Sequence, residues 1–275
     1  MTAHTSVYNE HGLSHDVLAA RVPSVFASAP FSGVSNRYGF VPTIDVVDGL
    51  REVGLRPVSA GQTLTRIEGK RDFTRHVIRF RPDYAPMLVG EALPEVVLMN
   101  SHDGSSGFKL WLGMFRMVCA NGLIVSDRVT GCVSIPHRSN AVEHARRQSL
   151  ELIERVSSLA DTVERFRSVH VPDVEAYRFA EEAAQIRWGS ERPAGLNPRD
   201  LLTARRYQDA QANLWAVLNT VQENLTKGGV NLTRAGRRSS TRGLRSVQDD
   251  ARMNTGVWSA AEGVYSRLVE DVVAV

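Results

Sequence analysis

The chain has 275 residues, of which 43% are hydrophobic and 23% are charged, and this composition excludes a disordered or collagen-like protein. Its net charge of +3 and its pI near 9.1 allow nucleic-acid binding without requiring it. No apolar run approaches the roughly 20 residues of a membrane-spanning helix, and residues 1–15 lack the basic and then apolar pattern of a signal peptide. We therefore expect a cytoplasmic protein that does not associate with a membrane.

The sequence contains two cysteines, Cys119 and Cys132, and both lie in segments with the residue pattern of strands. Because a disulfide is not expected in the cytoplasm, we interpret them as structural thiols. Other candidate metal ligands are His76, His102 and His137, but none of these five residues shows the close paired spacing of a zinc site. The sequence therefore predicts neither a metal nor a cofactor.

The first strongly patterned element is a short helix. Residues 1–35 show little periodicity and are interpreted as a leader, in which residues 16–20 could form a short helix before Pro23. Thr43 is a suitable N-cap, apolar residues follow it at helical spacing through Val53, and Gly54 is a natural stop. The pattern thus predicts a helix over 43–53, at the start of the first folded region.

Three strands are predicted after this helix, over residues 55–67, 73–81 and 95–100. In the middle strand, apolar residues and a histidine alternate with arginines, which indicates a basic outer face. The arginines that we expect to contact phosphate groups there are Arg75, Arg79 and Arg81.

Residues 100–125 are the densest part of the sequence. A polar turn over 101–107 precedes an alternating, largely apolar strand over 108–118. Asn121-Gly122 signals a hairpin, whose return strand is predicted over 123–125. The segment therefore predicts a β core with an unusually polar corner.

Two interpretations are open for this corner. His102 and Asp103 could act as a base and its orienting carboxylate, but adjacent residues rarely face each other. We favour a turn in which Asp103 and Ser105 bond their own backbone. The residues kept as a motif of unknown role are Asn100, His102, Asp103, Arg116 and Asn121. No catalytic residue is assigned.

From residue 140 the pattern becomes helical. Apolar residues recur at alternating spacings of three and four from Val142 to Phe166, with Ser149 the one polar member of this seam. We favour packing of the seam against the protein's own sheet over an intermolecular coiled coil. Further helices are predicted over 173–188, 197–225 and 257–273.

The order of elements predicts an α+β fold, with an antiparallel or mixed N-terminal sheet and a short helix, followed by a long helix and a helical C-terminal region. After the leader, we expect a β-rich core domain over 36–139 and a helical region over 140–275. Within the latter, residues 227–252 hold seven basic and two acidic residues and are interpreted as a flexible basic arm. The arm residues expected to contact phosphate groups are Arg237, Arg238, Arg242 and Arg245.

Several segments resemble a family of phage- and plasmid-encoded proteins that carries a domain of unknown function. They are Asn36-Arg-Tyr-Gly-Phe-Val-Pro-Thr, His76-Val-Ile-Arg-Phe-Arg, Asn100-Ser-His-Asp-Gly-Ser-Ser, Gly113-Met-Phe-Arg-Met-Val-Cys-Ala-Asn-Gly-Leu, Ile135-Pro-His-Arg and Leu214-Trp-Ala-Val-Leu-Asn-Thr-Val. The resemblance implies a mobile-element origin and supplies no catalytic residues. The order of elements is also similar to that of single-strand annealing proteins, which is an analogy of fold alone.

Three functions remain open. We favour a non-enzymatic nucleic-acid-binding protein that acts on single-stranded DNA in recombination or replication and forms a homo-oligomer. The aromatic side chains that would stack on bases are Tyr38, Phe40, Trp111 and Phe115. The alternative is an effector that binds a host protein and inhibits a host defence system. The third is a hydrolase that uses His102, Asp103 and His137.

Overall fold

The computed structural model describes residues 4–35, 38–83, 92–116, 121–125, 133–135, 140–234, 237–244 and 246–273. The chain divides into two compact units. Unit 1 comprises residues 1–156 and 245–247, and unit 2 comprises residues 157–244 and 248–275. Most strands lie in unit 1 and most helices in unit 2, so the predicted α+β class is confirmed.

Unit 1 is built on a seven-stranded sheet in which neighbouring strands run antiparallel. Its elements are β1 (His4–Tyr8), α1 (His15–Arg21), α2 (Thr43–Glu52), β2 (Leu55–Thr63), β3 (His76–Pro82), β4 (Ala92–Asn100), β5 (Lys109–Arg116), β6 (Asn121–Val125), β7 (Val133–Ser134) and α3 (Ala141–Glu154). The strand order is β1-β2-β3-β4-β5-β6, and β7 also pairs with β5. Eight of the nine residues of β4 are buried, which places the core at the middle of this sheet.

The interpretation of residues 1–35 as a leader is wrong, because they belong to unit 1. β1 pairs along its length with β2 and forms an edge of the sheet. α1 follows with its N-terminus capped by the Ser14 hydroxyl, and it buries Leu18 completely. α1 confirms the short helix predicted over 16–20, whereas a five-residue polar strand is too short to show a clear period in the sequence.

α2 and α3 pack closely against each other, and α3 also lies against β4 and β5. The contact depends on Gly49, because a Cβ atom there would lie 2.7 Å from Cγ1 of Val142. Arg146 of α3 donates from Nε to the carbonyl oxygen of Gly49 at 3.0 Å. The predicted helix over 43–53 is confirmed, but Thr43 is its first helical residue rather than its cap. The Thr43 hydroxyl instead forms hydrogen bonds with buried side chains of the sheet and of the polar turn.

The hairpin signal at Asn121-Gly122 was misplaced. Both residues lie inside β6, where Asn121 pairs with Arg116 and Gly122 pairs with Phe115. The connection between these strands falls at 117–120, outside the described residues. Cys119, Cys132 and His137 also lie outside them.

The seam is confirmed as a buried surface, although the helix that carries it is interrupted at Arg155. α3 ends at Glu154, and α4 (Val156–Ser168) continues into unit 2. The fully or almost fully buried members are Ala145, Ser149, Leu152, Val156, Leu159, Val163 and Phe166. In unit 2, the ring centroid of Phe166 lies 5.3 Å from that of Trp258 and 5.9 Å from that of Tyr265. Residues of the C-terminal helix in the same chain therefore pack against this part of the seam.

Unit 2 continues with α5 (Asp173–Trp188), α6 (Leu214–Lys227), β8 (Gly228–Arg234), β9 (Arg237–Arg242) and α7 (Val247–Val273). The segment between α5 and α6 was predicted to be helical from residue 197 onward. It instead forms short 3-10 turns at Pro198–Leu202 and Tyr207–Asp209. Asn197 caps the first of these turns by accepting a hydrogen bond from the N–H of Arg199.

The flexible basic arm is also a wrong prediction. β8 and β9 form a two-stranded antiparallel hairpin directly after α6, and α7 begins at Val247, before the predicted start. A run of polar and basic residues hides the alternation of a strand, so the sequence carried no clear period here. No helix within the described ranges has the length and apolar content needed to cross a membrane.

Candidate functional site

The arginines of β3 do not form the predicted basic outer face. Nη1 of Arg79 lies 3.0 Å from Oε2 of Glu95, and Nε of Arg81 lies 2.9 Å from Oε1 of the same carboxylate. The Glu95 side chain is 0% exposed, and those of Arg79 and Arg81 are 11% and 7% exposed. Arg81 also lies 5.5 Å from the ring centroid of Tyr8 and donates to its hydroxyl. Because both guanidinium groups are largely buried and share the carboxylate of Glu95, little of either group is accessible for the predicted phosphate contacts.

The polar corner is a closely bonded turn, as predicted. Oδ1 of Asp103 accepts from the N–H of Ser105 at 3.0 Å, and Lys70 lies 3.1 Å from Oδ2 of Asp103. Arg75 donates to the carbonyl oxygen of Ser105. Burial raises the pKa of Asp103, but the hydrogen bonds from Ser105 and the charge of Lys70 outweigh it and hold that pKa below its usual value. Asp103 is therefore an ionised turn residue.

A buried polar cluster centres on the hydroxyl of Thr43. Nε2 of His76 lies 3.0 Å from this oxygen, Nε2 of His102 lies 3.1 Å from it, and Nδ2 of Asn100 donates to it at 3.0 Å. Each of the four side chains belongs to a residue that is 0% exposed. The register brings them together, because His76 of β3 pairs with Asn100 of β4 and Thr43 begins the helix packed against this sheet. We call these four residues the histidine cluster.

The hydrogen bonds of His76 and His102 show which of their ring nitrogens donate and which accept. Nδ1 of His76 lies 3.1 Å from the carbonyl oxygen of Thr74, which accepts only, so this nitrogen carries the proton and Nε2 is an acceptor. The Thr43 hydroxyl therefore donates to His76 and accepts from Asn100 and from Nε2 of His102. One donated and two accepted bonds are the full capacity of a hydroxyl group. Thr43 thus holds the neutral imidazole of His76 and the ring of His102 in defined orientations.

The environment of the histidine cluster favours neutral groups. Burial, helped by the neighbouring His102, lowers the pKa of His76 to about 3. Tyr38 donates from its hydroxyl to the carbonyl oxygen of Ser101 at 2.7 Å, and burial together with Asp103 raises the pKa of Tyr38 to about 12. His102 and Asp103 bind different partners, since Nε2 of His102 is bonded to Thr43 and Asp103 binds Lys70 and Ser105.

The aromatic residues expected to stack on bases are engaged inside unit 1. The ring centroid of Phe40 lies 5.0 Å from that of His102, and Trp111 is only 6% exposed. Tyr38 is half-buried and bonded to the polar turn. The side chain of Phe115 lies outside the described part of the structure. Of the three described rings, that of Trp111 is buried, and those of Tyr38 and Phe40 are half-buried.

The hairpin of unit 2 differs from β3 in its surroundings. In its register, Arg234 pairs with Arg237, Thr233 pairs with Arg238, and Gly228 pairs with Arg242. Unit 2 holds 15 basic and 15 acidic residues, yet residues 228–244 include four arginines and no acid. Arg242 is exposed, and no acidic partner is found for it among the described residues. Arg245 lies outside the described ranges.

The base of the hairpin is held by specific contacts. Gly228 adopts a φ of +68°, and a Cβ atom there would lie 2.4 Å from the backbone nitrogen of Gly243, so only glycine fits this position. The N–H of Val230 donates to the hydroxyl of Thr241 at 3.1 Å, and both residues are buried. Arg205 donates to the carbonyl oxygen of Gly228. The hairpin therefore has a defined orientation on unit 2.

An acidic residue lies beneath the hairpin rather than on it. Glu223 of α6 accepts from Arg206 and from Lys227, the last residue before β8. Burial raises the pKa of Glu223, but these two cations outweigh it and lower that pKa to about 2. Arg206 also lies 3.6 Å from Asp209. Acidic residues thus balance the charges of Arg206 and Lys227 at the base of the hairpin. The sequence of the hairpin itself contains no acid that could balance its arginines.

Comparison with known proteins gives the family. The model of the family described as "Domain of unknown function (DUF932)" matches residues 30–258. The chain belongs to this family. It is 32% identical over 263 residues to the UPF0380 protein YafZ of Escherichia coli (strain K12) and 33% identical over 266 residues to the UPF0380 protein YfjQ of the same organism, with 95% of each chain covered in both cases. No solved structure matches the chain.

The segments through which the sequence resembled a family of unknown function converge in the structure. Tyr38 and Thr43 come from the first segment, His76 comes from the second, and Asn100 and His102 come from the third. All five lie in or beside the histidine cluster. These segments of unit 1 therefore meet in a largely buried network of hydrogen bonds.

Sequence reasoning missed two features of these sites. Thr43 was assigned to helix capping, and only the contact among three separate segments reveals its role between the histidines. Tyr207 was not considered, although it is 93% exposed and follows two arginines beside the hairpin. The sequence Arg205-Arg206-Tyr207 was the available signal, since an aromatic residue within a basic segment is a pattern of nucleic-acid binding.

Proposed function

We propose that this member of the family binds nucleic acid through the β8–β9 hairpin, with single-stranded DNA as the favoured class. The observation that supports this most is the concentration of four arginines, without an acid, on one ordered hairpin of a unit that is otherwise acidic. Lys and Arg side chains that neutralise phosphates release counterions, and this supplies most of the sequence-independent affinity for nucleic acids.

The proposal is of a binding protein rather than an enzyme, acting in recombination or replication of a mobile element and assembling with copies of itself. The histidine cluster supports this proposal indirectly. Its titratable groups are buried and bonded to one another, and no three His, Cys, Asp or Glu side chains of the described residues are arranged to hold a metal ion. The cluster is thus best explained as a stabilising network of unit 1.

Binding of a labelled single-stranded oligonucleotide, followed by fluorescence anisotropy at low salt, tests the proposal. The test variant replaces the four hairpin arginines by alanine: Arg234, Arg237, Arg238 and Arg242. Its matched control removes the same charge from unit 2 at four arginines that pair with acids: Arg167, Arg178, Arg192 and Arg267.

We expect the test variant to lose roughly two to three orders of magnitude in affinity near 0.1 M salt, since four phosphate contacts are removed and each contributes about −0.7 to the slope of log affinity against log salt. The control variant should lose much less. Absence of binding by the unmodified protein at low salt overturns the proposal and moves the function to binding of a host protein. Equal losses in both variants overturn the assignment to the hairpin.

A further inference from the structure

Tyr207 is an aromatic side chain that the fold leaves in solvent. It opens the 3-10 turn Tyr207–Asp209 and is 93% exposed. Within the described part of the chain, Tyr8 is the next most exposed aromatic residue at 48%, and its hydroxyl accepts a hydrogen bond from Arg81. A tyrosine that stabilised the fold by packing would bury its ring, because aromatic rings contribute mainly through buried area.

The backbone that carries Tyr207 is fastened to the foot of the hairpin. Arg206, its neighbour in sequence, makes a two-point contact with the carboxylate of Glu223 on the last turns of α6. Arg205, one residue earlier, donates to Oδ1 of Asn224 at 2.7 Å and to the carbonyl oxygen of Gly228. Tyr207 is therefore held beside the point where α6 ends and β8 begins.

Arg205, close to Tyr207 in sequence, has no acidic partner among the described residues. Both hydrogen-bond acceptors of Arg205 are neutral, this arginine is exposed, and none of the described carboxylates lies within ion-pair distance of it. Gly228, which Arg205 contacts, pairs in register with the exposed Arg242 of β9. An exposed ring and two arginines without a balancing acid thus lie at the same end of the hairpin.

We propose that Tyr207 is a base-stacking residue, and that a base of a single-stranded nucleic acid lies on its ring while Arg205 and the hairpin arginines bind neighbouring phosphates. The inference rests on the proposed function and deepens it by naming the strand class and a contact residue. A free base has an exposed face for the ring, whereas a base in a duplex is already stacked on its neighbours. The combination of a basic track with an exposed aromatic ring is the usual one for single-strand binding.

The test compares three single variants. Tyr207→Ala removes the ring, and Tyr207→Phe keeps the ring but removes the hydroxyl. The matched control is Val174→Ala in α5, which truncates another exposed apolar side chain of unit 2, 62% exposed, that lies between two acidic residues. Dissociation constants are measured for a single-stranded oligonucleotide and for the corresponding duplex, at several salt concentrations.

We expect Tyr207→Ala to weaken single-strand binding roughly 5- to 150-fold, the range that one stacked base contributes, with an unchanged salt slope because no phosphate contact is lost. Duplex binding should change much less. Tyr207→Phe and Val174→Ala should bind as the unmodified protein does, and all three variants should keep its melting temperature.

The outcomes separate the inference from the function on which it rests. Single-strand binding that survives Tyr207→Ala, or a loss of equal size on duplex, overturns the stacking role while the hairpin proposal stands. Loss of binding in Tyr207→Phe also overturns it, because the ring would then not be the contact. Failure of the unmodified protein to bind any oligonucleotide at low salt overturns the stacking role and the proposed function together.

Discussion

β3 and β9 each carry more than one arginine, yet their surroundings are opposite. On β3, Arg79 and Arg81 share the carboxylate of Glu95, which is completely buried on the next strand. On β9, Arg242 is exposed, and the hairpin sequence contains no acid. Arginines on a strand thus belong to a buried ion-pair network in unit 1 and to a region of excess positive charge in unit 2.

The difference shows what alternation can and cannot predict. A period of two assigns residues to the faces of a strand, but it says nothing about what the neighbouring strand places beside them. Glu95 is sixteen residues from Arg79 in sequence and becomes its partner only through the register of β3 and β4. An arginine on a strand indicates a binding surface only when no such acid faces it.

The largest expected effect on stability comes from the removal of Glu95, the buried acid of β4. Glu95→Ala should lower the free energy of unfolding by about 3–5 kcal/mol, because it removes the buried carboxylate that two nearly buried guanidinium groups share. Denaturant unfolding measures this loss. Glu95→Gln, which keeps the hydrogen-bond acceptor and removes the charge, should be less damaging. If Glu95→Ala were neutral, the arginines of β3 would not depend on this acid, and the contrast with the hairpin would fail.

A slightly smaller loss is expected at the centre of the histidine cluster. Thr43→Val keeps the shape of the side chain but removes the hydroxyl, so polar atoms of His76, His102 and Asn100 each lose a partner. We expect a loss of about 2–4 kcal/mol, since one buried unsatisfied group costs ~1–3 kcal/mol and the cluster relaxes in part. Thr43→Ser keeps the hydroxyl and should cost about 1 kcal/mol, the value of one methyl group. Equal losses in the two variants would show that packing, not the hydroxyl, matters.

The histidine cluster should also make unit 1 sensitive to acid. The pKa of His76 falls from 6.5 to about 3 on folding, so below pH 6.5 the unfolded chain binds a proton that the folded chain does not. The free energy of unfolding should therefore decrease as the pH falls from 6.5 towards 3. Glu223, whose pKa falls from 4.5 to about 2, contributes in the same direction only below pH 4.5.

Midpoints of denaturant unfolding, measured between pH 6.5 and pH 4.5, separate the contribution of His76 from that of Glu223. His76→Asn should flatten the pH dependence in this window, whereas His11→Asn, which changes an exposed histidine, should leave it as it is. A steep dependence that persists in His76→Asn would assign the acid sensitivity to another group.

The smallest expected effect on stability is at the hairpin. Replacing Arg234, Arg237, Arg238 and Arg242 by alanine should change the free energy of unfolding by no more than about 0.5 kcal/mol per site, as for surface positions, and relief of like-charge repulsion acts in the stabilising direction. Thermal unfolding of the variant checks this. A loss comparable to that of Glu95→Ala would mean that the hairpin arginines serve the fold rather than a ligand.

The sequence was sufficient for the elements with long, regular periods. The helix at 43–53 and the seam from 142 to 166 follow from apolar residues at helical spacing, and the polar turn follows from Asp103 and its serines. The hairpin at 228–242 was not predicted, because its strands are mostly polar and its glycines at 228 and 229 indicated only the end of a helix.

The histidine cluster could not be predicted from the sequence, for a different reason. Thr43 lies 33 residues from His76 and 59 residues from His102, so no local spacing connects them. Each residue also had an ordinary local explanation as a cap, a strand residue or a turn residue. Only the register of β3 with β4 and the packing of α2 on the sheet bring the three segments to one point.

The salt dependence of single-strand binding tests the central claim most directly. We expect the slope of log affinity against log salt to become shallower by about 3 when the four hairpin arginines are replaced by alanine, since each phosphate contact on a single strand contributes about −0.7. Arg75→Ala, directly before β3, should leave the slope unchanged. A slope that survives in the fourfold hairpin variant, or one that falls in Arg75→Ala, would contradict the assignment of nucleic-acid binding to the hairpin.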